Sequence, residues 1–230
     1  MRMSGNQHPQ RGVPLIVLAA ALAFASGAMD VASFTQLGQV FSSVMTGNLV
    51  LLGLATAHAS GDLAAHIAVA FAGYIAGTAL GSRIAGRSRH EEVLWPAPVT
   101  TTLAIELLAL AAFTVGWELT SGNPAGAWQL GLLAIAALAM GLQSAAMSNV
   151  RTTLSTTYLT GTLTRTVASM ATRKQPLQQT QLNVTVLVAL AAGAAAGGVL
   201  LAVLPATLPV LPMSALAGVI TIAMTAGTHR

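Results

Sequence analysis

The chain of 230 residues contains no cysteine, and only 7% of it is charged. The first absence excludes disulfides and thiol chemistry and leaves the compartment open. The second excludes a water-soluble fold, because soluble domains carry about 25% charged residues. Catalytic signatures are missing as well: the sequence has no H-E-x-x-H, no G-x-S-x-G nucleophile elbow and no P-loop. Its two aspartates are Asp30 and Asp62, and Asp62 falls between apolar runs, so a buried aspartate dyad would need a loop residue. Neither an enzyme nor a cofactor or metal centre is expected.

What is present is apolar: 54% hydrophobic residues and a mean hydropathy of +0.72. The isoelectric point near 10.7 would suggest nucleic acid in a soluble chain. Here the ten Lys and Arg residues lie between apolar runs, where basic loops set membrane orientation, so the bilayer is the expected partner and nucleic acid is not. Arg2, Arg11, the apolar run from Val13 and Ala23-Phe24-Ala25 imitate a secretory leader. That run continues to Phe34, too long for a leader and long enough to span, and it matches the internal segment 127–147.

A spanning helix needs about 20 mostly apolar residues, and six stretches qualify: 13–34, 63–85, 98–119, 127–147, 181–203 and 208–227. Segment 37–57 is apolar but interrupted by Ser42, Ser43, Thr46, Gly47 and Asn48, and segment 151–171 is far more polar, with Arg151, Arg165 and many hydroxyls. Charge decides whether these two cross. With eight crossings either orientation exports basic residues, whereas with six all loop Lys and Arg fall on one side, since 58–62, 120–126 and 204–207 contain none. Six crossings with both termini cytoplasmic are therefore expected.

The same skeleton occurs twice, 114 positions apart: Gly27 with Thr46-Gly47, and Gly141 with Thr160-Gly161. The offset also lays 63–85 on 177–199 and 98–116 on 212–230. Three crossings per copy make the second copy enter from the opposite side. The expected architecture is an all-α integral membrane protein of two inverted three-helix repeats, 13–119 and 127–227, after a cytoplasmic tail 1–12, each repeat holding a broken or re-entrant segment.

Gly27-Ala-Met-Asp30-Val-Ala-Ser-Phe34, then Val40-Phe41, then Met45-Thr46-Gly47-Asn48-Leu-Val-Leu-Leu-Gly53, resembles the signature of the YoaK family of bacterial membrane proteins, a domain of unknown function (number 1275). Gly141-Leu-Gln143-Ser-Ala-Ala-Met-Ser-Asn149 is similar to the same pattern in the second half. The resemblance implies a multi-span protein of about six helices in a bacterial cytoplasmic membrane, and it names no substrate, reaction or cofactor.

Candidate site residues follow from where polarity interrupts the apolar copies. Thr46 or Asn48 can cap a helix beginning at Leu49, with Gly47 allowing the non-helical backbone of a re-entrant segment; Thr160 and Gly161 would do the same from the other side. Two such half-helix ends would hold an anionic or polar solute through free N–H groups. The alternative is that the glycines allow close packing and the hydroxyls bond back to their own helix. Asp30 and Glu106 are acids at membrane depth, where they line a path, carry a coupling ion or form an ion pair. Arg165 and Arg151 are the candidate partners of Asp30. Gln143 joins the set from the second half. Gly73, Gly77 and Gly81 form a GxxxGxxxG ridge, repeated at Gly193 and Gly197, which serves helix packing or a homodimer face. His58 and His66 flank Asp62 with spacing too loose for a metal-ligand set. The combined reading is a transporter of a small solute with a midplane site between the repeats; a channel-like pore and a non-transporting binding or scaffold protein are the alternatives.

Overall fold

The computed structural model describes residues 15–86, 95–150, 159–172 and 177–227. Its elements are α1 (Leu15–Gln36), α2 (Met45–Ala57), α3 (Gly61–Ala85), α4 (Ala97–Leu119), α5 (Ala127–Ser148), α6 (Leu159–Thr172), α7 (Leu177–Val203) and α8 (Val210–Gly227), with a 3-10 turn at Pro205–Thr207; no strand occurs among the described residues. Among the described residues six helical stretches are long and apolar enough to cross a membrane: Leu15–Gln36, Gly61–Ala85, Ala97–Leu119, Ala127–Ser148, Thr180–Val203 and Pro205–Thr225. These coincide within a few residues with the expected spans, and the chain is a multi-pass helical membrane protein. The interrupted segments instead supply α2, of 13 residues, and α6, of 14. At 1.5 Å per residue α2 is about 20 Å long, short of the roughly 30 Å hydrocarbon core.

The innermost helices are α1 and α5, with 61% and 67% of their apolar windows buried, against at most 39% for the other four. Each seats on a helix from the other half of the chain. α1 packs on α7 and α8, α5 packs on α3 and α4, and the two inner helices and the pair α4 and α8 also touch.

Glycines let these backbones meet. A Cβ at Gly27 would overlap the Leu190 carbonyl and lie 2.9 Å from the Ala194 nitrogen; at Gly141 it would overlap the Tyr74 carbonyl and lie 2.8 Å from the Thr78 nitrogen. Likewise Gly77 lies on Leu138 and Gly193 on Phe24, while Gly81 lies beside Leu142 and Gly197 beside Ala28. The contacts recur 114 positions apart on α1 and α5 but 116 apart on α3 and α7. A two-residue slip thus separates the contact register of the α3 and α7 region from the single offset read in the sequence. The ridge Gly73, Gly77, Gly81 is spent against α5 of the same chain rather than left open for a second copy.

One end of the bundle collects three loops. Trp117 Nε1, at the end of α4, donates to the Pro205 carbonyl at 2.8 Å, and Gln129 Nε2, at the start of α5, donates to the Gln36 carbonyl at 2.7 Å. His66, in the second turn of α3, meets Gln129 Oε1 at 3.3 Å. The loops 58–62, 120–126 and 204–207 are therefore neighbours, and none contains Lys or Arg. Arg83 lies at the opposite end of α3, in its last turn.

Candidate functional site

The residues of the first-half signature assemble into one structure, the bend between α1 and α2. After Gln36 the chain turns through Gly38, at φ +94°. The ring of His66 occupies the space that a Gly38 Cβ would need, so this position demands glycine on both conformational and steric grounds. The chain then runs back alongside α1, and Asp30 receives it. Asp30 Oδ1 accepts from Ser42 N at 3.0 Å, Ser42 Oγ at 3.0 Å and Ser43 N at 2.8 Å, and Oδ2 accepts from Ser43 Oγ at 2.5 Å. Asn48, fully buried, closes the bend from the α2 side: Phe41 N donates to its Oδ1 at 2.9 Å, and its Nδ2 donates to the Phe41 carbonyl at 2.8 Å. Phe34 and Phe41 stack with ring centroids 5.1 Å apart. Gly47 leaves room for the Phe41 ring, which a Cβ would approach to 3.1 Å.

This geometry changes the local reading of the Thr-Gly pairs. α2 begins at Met45 and not Leu49, so Thr46, Gly47 and Asn48 lie inside its first turn, and Val44 at the N-cap offers no side-chain bond. The N–H groups of Met45, Gly47 and Asn48 are taken by the carbonyls of Ser43 and Val44. The positive end of α2 is thus largely satisfied within its own loop, and Gly47 serves an aromatic contact rather than a backbone break. Thr46 is exposed. In the second half Thr160 and Gly161 occupy the corresponding second and third positions of α6, where Gly161 is exposed with open space around it. Arg151, and the side chains of Thr160 and Arg165, lie outside the described residues, so the described partners of Asp30 are the two serines.

Two further candidates sit in the middle of the bundle. Gln143 on α5 is buried, and its Nε2 donates to Ser26 Oγ at 2.7 Å and to the Leu22 carbonyl at 3.2 Å, linking α5 to α1. Glu106 on α4 is fully buried, and neither carboxyl oxygen has a hydrogen-bond partner among the described residues. Asp30 and Glu106 are therefore dissimilar acids: one is bonded on all sides by a loop, the other is buried with no hydrogen-bond partner among the described residues.

At the loop-rich end, His66 Nδ1 lies 2.9 Å from the Asp62 carbonyl and 3.7 Å from its carboxylate, while His58 is exposed and bonded to its own helix. No group of three His, Cys, Asp or Glu residues suited to a metal occurs among the described residues. A groove of about 340 Å³ opens between α4 and α5, lined by apolar residues that include Gly116, Leu119, Trp128 and Leu132. It lies away from both Thr-Gly pairs. Sequence reasoning missed the contributions of Ser42, Ser43, Phe41 and Ser26; Ser42 and Ser43 were legible only as interruptions, because their partner is 12 to 13 residues away in sequence, and the partner of Ser26, Gln143, is 117 away.

Comparison with known proteins agrees with the signature. A family model described as "Protein of unknown function (DUF1275)" matches residues 18–223. The UPF0700 transmembrane protein YoaK of Bacillus subtilis (strain 168) is 36% identical over 96 residues, a stretch that covers 42% of this chain and 42% of that protein. No solved structure matches the chain.

Proposed function

The chain belongs to the DUF1275 family of transmembrane proteins, and on that premise we propose that it carries a small polar or anionic solute across the bacterial cytoplasmic membrane. The site lies near the midplane between two inverted halves, and both termini are cytoplasmic. The observation that carries this reading is the exchange of helix partners: α1 of the first half seats on α7 of the second, α5 seats on α3, and equivalent glycines mark both seams. Two halves interlocked in this way are the construction of carriers that work by rocking one repeat against the other. The short helix α2 begins at Met45, and its counterpart 114 positions on, Leu159, lies in α6.

In this reading Thr46, Gln143, Thr160, Gly161 and Arg165 contribute to the solute path, and the bend held by Asp30 and Asn48 is its first-half wall. Solute reaches Asp30 only when Ser42 and Ser43 let go, which makes that bend a moving part. Gly47 acts through Phe41.

The test is thermal stabilisation of the purified protein by a panel of small anions, neutral metabolites and cations, followed by flux of the stabilising class in proteoliposomes. Stabilisation by one class, weakened in Gln143→Ala, is expected. A panel in which nothing stabilises, together with tight proteoliposomes, overturns the reading. The complete internal pairing of the bend favours a second reading, a binding or scaffold protein, and a bend that never opens would leave that one standing over either a carrier or a channel.

A further inference from the structure

Glu106 occupies the middle of the buried stripe of α4, in register with Val99, Leu103, Leu110 and Phe113. Its two carboxyl oxygens are unpartnered among the described residues, and so is the buried Oε1 of Gln143 on α5. These orphans lie at the same level of the bundle. α4 and α5 run antiparallel, with Gly116 against Leu132 and with Thr102 at the point where Gly81 meets Ala145. Glu106, one turn from Thr102, is therefore level with Gly141 to Gln143, and Gln143 lies about three turns from Leu132 on the same stripe of α5.

An ionised carboxylate enclosed here without a cation would be strongly disfavoured. No cation is supplied by the described helices around it. α5 and α8 carry no titratable residue. On α3, Tyr74 donates its hydroxyl to Ser144, His66 and Asp62 pair at the loop-rich end, and Arg83 is exposed in the last turn. A single proton removes the charge and pairs one carboxyl oxygen with the amide oxygen, because a neutral carboxylic acid gains one O–H donor and the amide oxygen of Gln143 needs one.

We propose that Glu106 is a buried proton-binding site, its acid O–H donated to Gln143 Oε1, and that this proton is the coupling ion of transport. Binding takes a proton from water and release returns it, Glu–COOH giving Glu–COO⁻ and H⁺. The other end of the Gln143 amide holds Ser26 and Leu22 of α1. Loss of the proton withdraws the donor from one end of that amide and leaves a charge in the α4–α5 seam, which ties protonation to the link between halves. The coupling role rests on the transport reading; the protonation itself does not.

Infrared spectroscopy of the purified protein at neutral pH reads the protonation directly. We expect a carboxylic acid C=O band that shifts in D₂O and on labelling with ¹³C-glutamate, disappears in Glu106→Gln, and moves to the frequency of a free acid in Gln143→Leu. Absence of a glutamate band in the wild type shows an ionised Glu106 and overturns the proposal. A band unmoved by Gln143→Leu overturns the pairing. Should Glu106→Gln not fold, isotope labelling and Gln143→Leu still decide. Proton uptake by proteoliposomes, followed with an entrapped pH dye, tests coupling: Glu106→Gln should abolish it. Uptake unchanged in that variant removes the coupling role while protonation stands, and no solute or proton flux in the wild type sinks the transport reading without touching the infrared result.

Discussion

Replacing Asn48 by Ala should be among the most damaging single changes in the first half, although it alters a residue that a solute-site reading would treat as a ligand. The side chain is fully buried and spends both ends on one residue, accepting from Phe41 N at 2.9 Å and donating to the Phe41 carbonyl at 2.8 Å. Truncation orphans a backbone donor and a backbone acceptor together. Each buried orphan costs about 1–3 kcal/mol, and because Phe41 is only half-buried, water relieves part of it. A loss of about 2–4 kcal/mol is expected, which for a chain of this length lowers Tm by roughly 4–16 °C. The assay is a detergent melt followed by size-exclusion chromatography. Asn48→Asp should be no better, since it keeps the acceptor, discards the donor and buries a charge.

A double-mutant cycle with Asp30→Asn sharpens the test. That substitution keeps Oδ1 for Ser42 and Ser43 N and puts an N–H donor where Oδ2 accepted from Ser43 Oγ, a hydroxyl that can turn to accept it, but it loses the charge that strengthens these bonds, so alone it should cost less than Asn48→Ala. Once either clamp has let the bend loosen, the other has less to hold, and the double variant should lose less than the sum. An Asn48→Ala protein that melts with the wild type, or a cycle in which the losses add, would show that the bend is not a clamped unit.

Four further outcomes are expected. Gly77→Leu and Gly193→Leu should each destabilise by well over the roughly 1–3 kcal/mol of ordinary overpacking, since backbone stands where the side chain must go, whereas Gly161→Ala and Gly53→Ala, with open space around them, should be neutral or stabilising by about 0.5–1 kcal/mol in the same melts. Gly38→Ala should loosen the His66 contact at φ +94° and lower Tm, and His66→Ala should partly rescue it by removing the colliding ring. Reporter fusions after Arg89, after Arg173 and at the C-terminus should report cytoplasm and a fusion after Gly122 the outside; Arg89 and Arg173 on opposite sides would break the inverted arrangement. Thr46→Val and Thr160→Val should weaken binding of the stabilising solute by about 0.5–1.5 kcal/mol each with little change in melting, and unchanged binding would remove the Thr-Gly pairs from the solute path.

The helices were legible because their signal is local: a run of about 20 apolar residues reports itself, and the lack of Lys and Arg in 58–62, 120–126 and 204–207 separated six spans from eight. The two-residue slip between α3 and α7 was not legible, because many small residues there mask a register that only the facing carbonyls define. The local role of Thr46-Gly47-Asn48 was not legible for a related reason. Thr46-Gly47-Asn48 looks like an opened helix end when read alone, yet Asn48 reaches back seven residues to Phe41, and Asp30 reaches forward twelve to Ser42. A string of polar residues in an apolar chain is marked by sequence as costly and therefore purposeful, but the purpose depends on what the groups meet. Where they meet each other, as at Asp30 and Asn48, they build a bend. Where they meet nothing among the described residues, as at Glu106 and the Gln143 amide oxygen, the unmet hydrogen-bonding capacity itself points to what could bind, and that signal exists only in three dimensions.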